Sequence, residues 1–225
     1  MWNRRARCRF PAPELHSDDL MIDIRELHAN QIDALREVAN IGAGHAATAL
    51  SQMTDARINV SVPHLQIARL GDIPDLLSEA DSVVAAVMMH VLGDLSGRTL
   101  LVLPRDSGAR LAEILLRRPV GSLTVFGELE ESALKEAGNI LCAAYLNALS
   151  DFMGLVLLPS VPKLVIDLFA PVLTTLYDDD RGAQQYVFSL ETKFKLENGE
   201  AVGGHFLLMP NLESLQVILR ALGLD

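Results

Sequence analysis

The 225-residue sequence has little cysteine and no long apolar runs. Its two cysteines, Cys8 and Cys142, show no spacing typical of a disulfide framework or a zinc site, which indicates a reducing, cytoplasmic compartment. No apolar run reaches the roughly 18 to 20 residues of a membrane-spanning helix, so no membrane association is predicted. The first residues also lack the continuous apolar stretch of a signal peptide. We expect residues 1–27 to form a flexible polar leader, in which Met21 is an alternative start to Met1.

Basic and aromatic residues are scarce as well. Lys and Arg total 19 against 29 Asp and Glu, which gives a formal net charge of −10, and aromatic residues make up 5% of the chain. Nucleic-acid binding needs a basic face and often uses aromatic stacking, so this class of function is excluded. The six histidines are scattered without the spacing of metal ligands, and no metal site is predicted. The apolar content of 50% is that of a globular protein.

Apolar periodicity predicts the same order of elements twice along the chain. The first set is a helix at 28–53, a strand at 56–68 that Pro63 interrupts, strands at 82–92 and 97–104, and a helix at 106–117. The second set is a helix at 124–152, a strand at 155–169 that Pro162 interrupts, strands at 185–196 and 201–209, and a helix at 211–223. We therefore predict an α/β fold in which residues 28–224 form one domain. It consists of two helix-strand-strand-strand-helix repeats, at about 28–120 and 124–224.

The repeat is also visible residue by residue. When the chain is shifted by 99 positions, 12 of the 33 residues at 33–65 are identical to their partners at 132–164, without a gap. Ordinary composition would give about two or three identities by chance. Two halves of this size are expected to share one sheet system with pseudo-two-fold symmetry, because a three-stranded half has little core of its own.

Among the repeated residues, a Glu and an Asn lie close together within a helix. Glu37 and Asn40 recur as Glu136 and Asn139, and each pair has the i, i+3 spacing that places both side chains on one helix face. Asp33 and Ser132 lie one turn earlier on the same faces. Asn is an unfavourable residue inside a helix, and the second Asn also follows Gly138. These choices indicate either a functional face or a polar face that only meets solvent.

The pattern Asp/Ser-x3-Glu-x2-Asn-x22-Pro resembles the signature of the CheC/CheX/FliY phosphatases of bacterial and archaeal chemotaxis. It reads Asp33, Glu37, Asn40 and Pro63 in the first repeat, and Ser132, Glu136, Asn139 and Pro162 in the second. The flanking segments NIGAGHAATALSQM, ESALKEAGNILCAAYLNALS and DLSGRTLLVLP are similar to CheC-type members in particular. The resemblance covers about residues 28 to 224.

The resemblance implies an enzyme that removes the phosphoryl group from the aspartyl phosphate of the response regulator CheY. Glu37 and Glu136 would each pair with a lysine of the regulator, while Asn40 and Asn139 would each hold the attacking water. Two long helices carrying these residues would be exposed on one side. Asp33 and Ser132 would support the helix face, and Pro63 and Pro162 would shape the adjacent strand. This chain would bind no cofactor, and the Mg²⁺ needed for the chemistry would belong to the regulator.

The resemblance also implies a second candidate function. CheC-type proteins bind the receptor deamidase CheD, and the chain could act mainly as that adaptor, with a contact expected around residues 97–117. Because both signatures lie in one chain, we expect a monomer. Which half is more active, and which response regulator is the substrate, stay open at this point.

Overall fold

The computed structural model describes residues 29–77, 81–176, 185–197 and 199–223, and the predicted leader at 1–27 lies outside them. Within these ranges there are six α-helices: α1 Ala29–Thr54, α2 Ile73–Leu77, α3 Arg105–Leu115, α4 Glu128–Met153, α5 Phe169–Thr174 and α6 Leu212–Ala221. The strands are β1 Ile58–Ser61, β2 Leu65–Arg69, β3 Val83–Gly93, β4 Gly97–Pro104, β5 Leu157–Pro159, β6 Lys163–Leu168, β7 Tyr186–Leu196 and β8 Ala201–Pro210. No helix in the described part of the chain is long and apolar enough to cross a membrane.

The order of elements differs in detail from the predicted helix-strand-strand-strand-helix. From α1 to α3 the chain forms a long helix, two short strands, a short helix, two long strands and a helix, and the same order runs from α4 to α6. The single strands predicted at 56–68 and 155–169 are each two short strands, with Pro63 and Pro162 in the residues that join them. Proline has no N–H for the ladder and fixes its own φ, so each predicted strand divides at this point.

All eight strands belong to one antiparallel sheet, whose four long strands lie in the order β7-β8-β4-β3. The short strands cross from one half of the chain to the other. Strands β1 and β2 pair with β7, whereas β5 and β6 pair with β3. Each half therefore completes the sheet of the other half, and neither half holds all of its strands by itself.

Helices cover both faces of the sheet. The inner face packs against α1, α3, α4 and α6 around one apolar core, and the outer face packs against α2 and α5 around a smaller one. The central strand β4 is buried on both faces from Thr99 to Leu103, as its continuous apolar sequence requires. Because β3 and β8 occupy both edges of β4, residues 99–103 are not accessible to a partner, and the contact expected around residues 97–117 stays a prediction for the exposed residues of α3.

The two long helices pack against each other on the inner face. A Cβ atom on Gly42 of α1 would lie 3.0 Å from the Cα of Tyr145 of α4, so the backbones approach closely there. Leu35, earlier in α1, and Leu149, later in α4, line the same small cavity. The helices therefore run antiparallel, since positions further back in α1 meet positions further along α4.

Candidate functional site

Helix α1 carries the first set of signature residues on its solvent-facing side. Asp33, Glu37 and Asn40 are exposed and lie within about 60° of one another around the helix axis. Val38 and Ala39, which lie between Glu37 and Asn40 along the chain, are on the other side of the helix and are buried in the inner core. The apolar stripe thus fixes the rotation of the helix, and that rotation presents Glu37 and Asn40 to solvent.

Helix α4 presents the second set in the same way. Ser132 and Glu136 are exposed, and Asn139 is half-buried. Between them, Ala137 and Gly138 are buried, and a Cβ atom on Gly138 would lie only 2.6 Å from Cγ1 of Val87 in β3. The absence of a side chain at residue 138 therefore lets α4 approach the sheet directly beside Asn139.

The four central signature residues have no structural partner. The side chains of these residues (Glu37, Asn40, Glu136 and Asn139) make no hydrogen bond or ion pair with any residue of the described ranges, so their polar groups are free to meet another molecule.

Ser51 also recurs in the second repeat, but its side chain, unlike those of the Glu and Asn residues, bonds within the fold. Ser51 Oγ donates to the carbonyl oxygen of Ile58 at 3.1 Å and accepts from the Ile58 N–H at 2.9 Å, which ties the end of α1 to β1. Its partner in the second repeat, Ser150, donates to the carbonyl oxygen of Leu155 at the end of α4. Repetition of the serine is thus explained by the fold, whereas repetition of the Glu and Asn residues is not.

The four supporting signature residues occupy peripheral positions. Asp33 Oδ1 accepts a hydrogen bond from Arg36 Nη1 at 3.0 Å, on the exposed surface of α1. Ser132 occupies the equivalent place on α4 and is exposed. Pro63 lies between β1 and β2, and Pro162 lies between β5 and β6. Both prolines thus lie in the residues that join the short strands.

The two signature faces are separate sites. Because Gly42 lies level with Tyr145, Asn40 lies level with about residue 147 of α4, eight residues beyond Asn139. At a rise of 1.5 Å per residue, the two Asn residues are about 12 Å apart along the helix axes, in addition to the spacing between the helices. No composite centre forms between them, and each face must act on its own.

Each face lies on the exposed, convex side of a helix. A cavity of about 50 Å³ between α1, α4 and the sheet is lined by apolar and aromatic side chains such as Val38, Tyr145 and Phe206, and it contains none of the signature residues. In the described ranges, no group of three or more His, Cys, Asp or Glu residues is placed to hold a metal ion. An exposed Glu and Asn on a convex helix face suit a partner that brings its own concave site.

Exposed apolar residues accompany the polar ones, and the sequence pattern alone did not point to them. Ile41, directly after Asn40, is 46% exposed, and Ile140 is half-buried at the equivalent place on α4. Leu129 is 62% exposed at the start of α4. In a sequence such residues look like part of the core, although their register relative to Glu37 and Glu136 places them on the exposed face.

Comparison with known proteins defines first the fold and then the family. The crystal structure of FliY from Thermotoga maritima superposes with a TM-score of 0.73 at 21% identity and covers 88% of this chain and 98% of its own. The model of the CheC-like family matches residues 31–67 and 129–166, which include the Glu, Asn and Pro of each repeat.

Two curated relatives from Bacillus subtilis carry the same likeness at the level of sequence. CheY-P phosphatase CheC is 32% identical over 196 residues, which is 86% of this chain and 94% of the relative. Flagellar motor switch phosphatase FliY is 24% identical over 171 residues, which is 75% of this chain and 44% of the relative. The chain therefore belongs to the CheC-like family, as its signature predicted.

Proposed function

We propose that the protein hydrolyses the aspartyl phosphate of a CheY-type response regulator and uses two sites with the same Glu-x-x-Asn pattern, one on α1 and one on α4. The observation that carries the proposal is the pair of exposed Glu-x-x-Asn faces whose polar groups have no partner within the described fold. The recurrence of the element order and of the signature supports an internal duplication with pseudo-two-fold symmetry. Each of the two long helices would thus be an active-site helix of a single-domain monomer.

The Glu residues serve as anchors. Glu37 and Glu136 are exposed on rigid helices, and each carboxylate can accept a charge-assisted hydrogen bond from a lysine beside the regulator's phosphorylated aspartate. Such a pair fixes the register of the two proteins more than it adds affinity. The overall charge of −10 gives no long-range attraction toward an acidic phosphorylation pocket, so short-range pairing has to position the complex.

The Asn residues position the water. A carboxamide can both donate and accept hydrogen bonds without changing its charge, so Asn40 or Asn139 can orient a water in line with the phosphorus–oxygen bond. The water oxygen bonds to phosphorus, and the aspartate leaves as a carboxylate. A carboxylate is a good leaving group that needs no general acid, so orientation and charge stabilisation are the main requirements. The residues Asp33 and Ser132 support the helix face, and the divalent ion belongs to the regulator.

Replacing both Asn residues tests this proposal. The Asn40→Ala/Asn139→Ala variant is expected to lose the accelerated decay of a CheY-type regulator phosphorylated with acetyl phosphate, with a fall of about 100-fold or more in kcat/KM. Each single variant should keep the activity of its intact site. Asn59→Ala is the matched control, because Asn59 is an exposed Asn of β1 on the outer face of the sheet.

The outcome separates the mechanism from general damage. Wild-type turnover in the folded double variant would contradict the water-positioning role of both residues. Replacement of Glu37 and Glu136 by Gln should instead raise KM with a smaller effect on kcat, because the carboxylates act in docking. An effect confined to kcat would contradict the anchoring role.

A second candidate function is an adaptor that binds the receptor deamidase CheD, and one apolar patch favours it. Leu92 of β3 and Leu158 of β5 are paired neighbours on the outer face of the sheet, and Val156 is exposed just before β5. The positions that precede Leu158 and Val156 by 99 residues are Asn59 and Arg57, so the other repeat is polar there. Turnover without CheD would favour the enzyme. Tight CheD binding, weakened by Leu158→Asn, with no effect on phosphate lifetime would favour the adaptor.

A further inference from the structure

The second signature face continues into apolar residues at the start of α4. Leu129 precedes Glu136 by seven residues, which places the two side chains within about 20° of each other around the helix and about 10 Å apart along it. Leu129 is 62% exposed, and Val125, four residues earlier, is 73% exposed. The face of α4 thus presents Leu129, Glu136 and the half-buried Ile140 along one line.

The first signature face lacks this extension. The position that precedes Leu129 by 99 residues is Asn30, which is exposed at the start of α1. The two helices have the same length and the same signature register, so the fold tolerates a polar residue at this point. The leucine is therefore not required by the helix, and an exposed leucine lowers solubility more than an asparagine does.

The segment before α4 is held in place. Arg105 Nη2 donates to the carbonyl oxygen of Thr124 at 3.1 Å, and the Gly127 N–H donates to Glu130 Oε2 at 2.8 Å. The buried Glu113 carboxylate accepts from the N–H groups of Gly121 at 2.8 Å and Leu123 at 2.5 Å. Val125 and Leu129 are thus presented by an ordered backbone, and little conformational entropy is lost when another surface covers them.

We propose that Leu129, together with Val125, is a docking contact for the response regulator, so that the second face binds it more tightly than the first. The inference rests on the proposed function and adds a specificity determinant to it. A protein partner that reaches Glu136 and Asn139 buries about 800 Å² of this chain, far more than these two side chains supply. Its footprint extends along α4 over Leu129, and it must present an apolar patch beside its phosphorylated aspartate.

Exchange of the two equivalent residues tests the proposal. In the Asn40→Ala background, where only the second face is active, Leu129→Asn is expected to raise KM for the phosphorylated regulator about tenfold, with kcat unchanged. In the Asn139→Ala background, where only the first face is active, Asn30→Leu is expected to lower KM. Leu76→Asn is the matched control, because Leu76 is a 48% exposed leucine of α2 on the outer side of the sheet.

The results distinguish this inference from the proposed function. If neither single-site background accelerates phosphate loss, the proposed function fails. If both backgrounds are active and Leu129→Asn leaves KM unchanged, or Leu76→Asn raises KM equally, the docking role of Leu129 fails. Unchanged kcat with raised KM, together with an unchanged unfolding midpoint, separates a docking contact from a loss of stability.

Discussion

Gly44 and Gly138 lie inside the two long helices, yet their replacement by alanine should have opposite effects on stability. Alanine is favoured over glycine in a helix interior by about 1 kcal/mol. Apart from its chain neighbours and the backbone of its own helix, no described atom lies within 4 Å of a Cβ atom added at Gly44, so Gly44→Ala should gain most of that amount. At Gly138 the added Cβ would lie 2.6 Å from Cγ1 and 2.9 Å from Cβ of Val87, which is fully buried in β3.

The 2.9 Å contact with the Cβ atom of Val87 decides whether Gly138→Ala raises or lowers the stability of the fold. A valine Cβ cannot rotate away, so Gly138→Ala must push α4 off the sheet, and overpacking of this kind costs about 1 to 3 kcal/mol. After the gain in helix propensity, the net loss is up to about 2 kcal/mol. In a Val87→Ala background the contacts with both γ-methyl groups are gone and only the 2.9 Å contact with the Cβ atom stays, so Gly138→Ala should cost less than it does in the wild type. The two substitutions should therefore show a coupling energy of about 1 kcal/mol, which is the part of the cost that the γ-methyl groups cause.

Urea unfolding of the four proteins of the Val87/Gly138 cycle measures that coupling, with Gly44→Ala as the reference for helix propensity. Because Asn139 follows Gly138, the displaced helix should also lower the proposed phosphatase activity of the second face in the Asn40→Ala background. Equal stabilisation by Gly138→Ala and Gly44→Ala, or a coupling energy near zero, would refute the close-packing argument.

Two further predictions concern titratable groups. Backbone N–H groups of Glu130 and Gly127 hold the pKa of Glu130 below its ordinary value of about 4.3, and the Arg118 guanidinium adds to this effect. The charged Glu130 carboxylate thus stabilises the fold above pH 4.3, and this contribution is lost as the pH falls below that value. Stability should therefore fall less with decreasing pH in Glu130→Gln than in the wild type, as measured by acid unfolding followed by circular dichroism. An unchanged profile would contradict this prediction. Burial raises the pKa of the Cys142 thiol to about 11, so little reactive thiolate is present in the folded protein at pH 8. In a Cys8→Ser variant, iodoacetamide at pH 8 should therefore label Cys142 only as urea unfolds the chain. Rapid labelling of the folded protein would be the contrary result.

The long elements of the fold could be predicted from local pattern alone. The helices predicted at 28–53 and 124–152 are observed at Ala29–Thr54 and Glu128–Met153, and the strand predicted at 97–104 has those bounds. The short strands could not be paired in advance, because no local signal shows that β1 and β2 join β7 of the other half. The short helices α2 and α5 span five and six residues, too few for a helical period to be recognised.

The signature residues could be placed on one face because helical spacing is a local property. Their exposure could not be derived in this way, since it depends on which stripe of each helix meets the sheet. The same limit applies to Leu129, whose apolar side chain fits a core pattern as well as a surface contact. Only the packed structure shows that the core stripe of α4 passes through Leu134 and Leu141 and leaves Leu129 outside.

The two unfavourable residues at the centre of α4 have different causes, and this difference bears on function. Gly138 is explained by packing, because any side chain there would meet Val87. Asn139 is not explained in this way, since its amide bonds to nothing in the described ranges, and Asn40 repeats the residue on α1, where alanine precedes it in place of glycine. The close approach of helix and sheet is therefore particular to the second repeat, whereas the asparagine is common to both. The same asparagine in two different packing environments, without a partner in either, supports the proposed role of Asn40 and Asn139 in contacting another molecule.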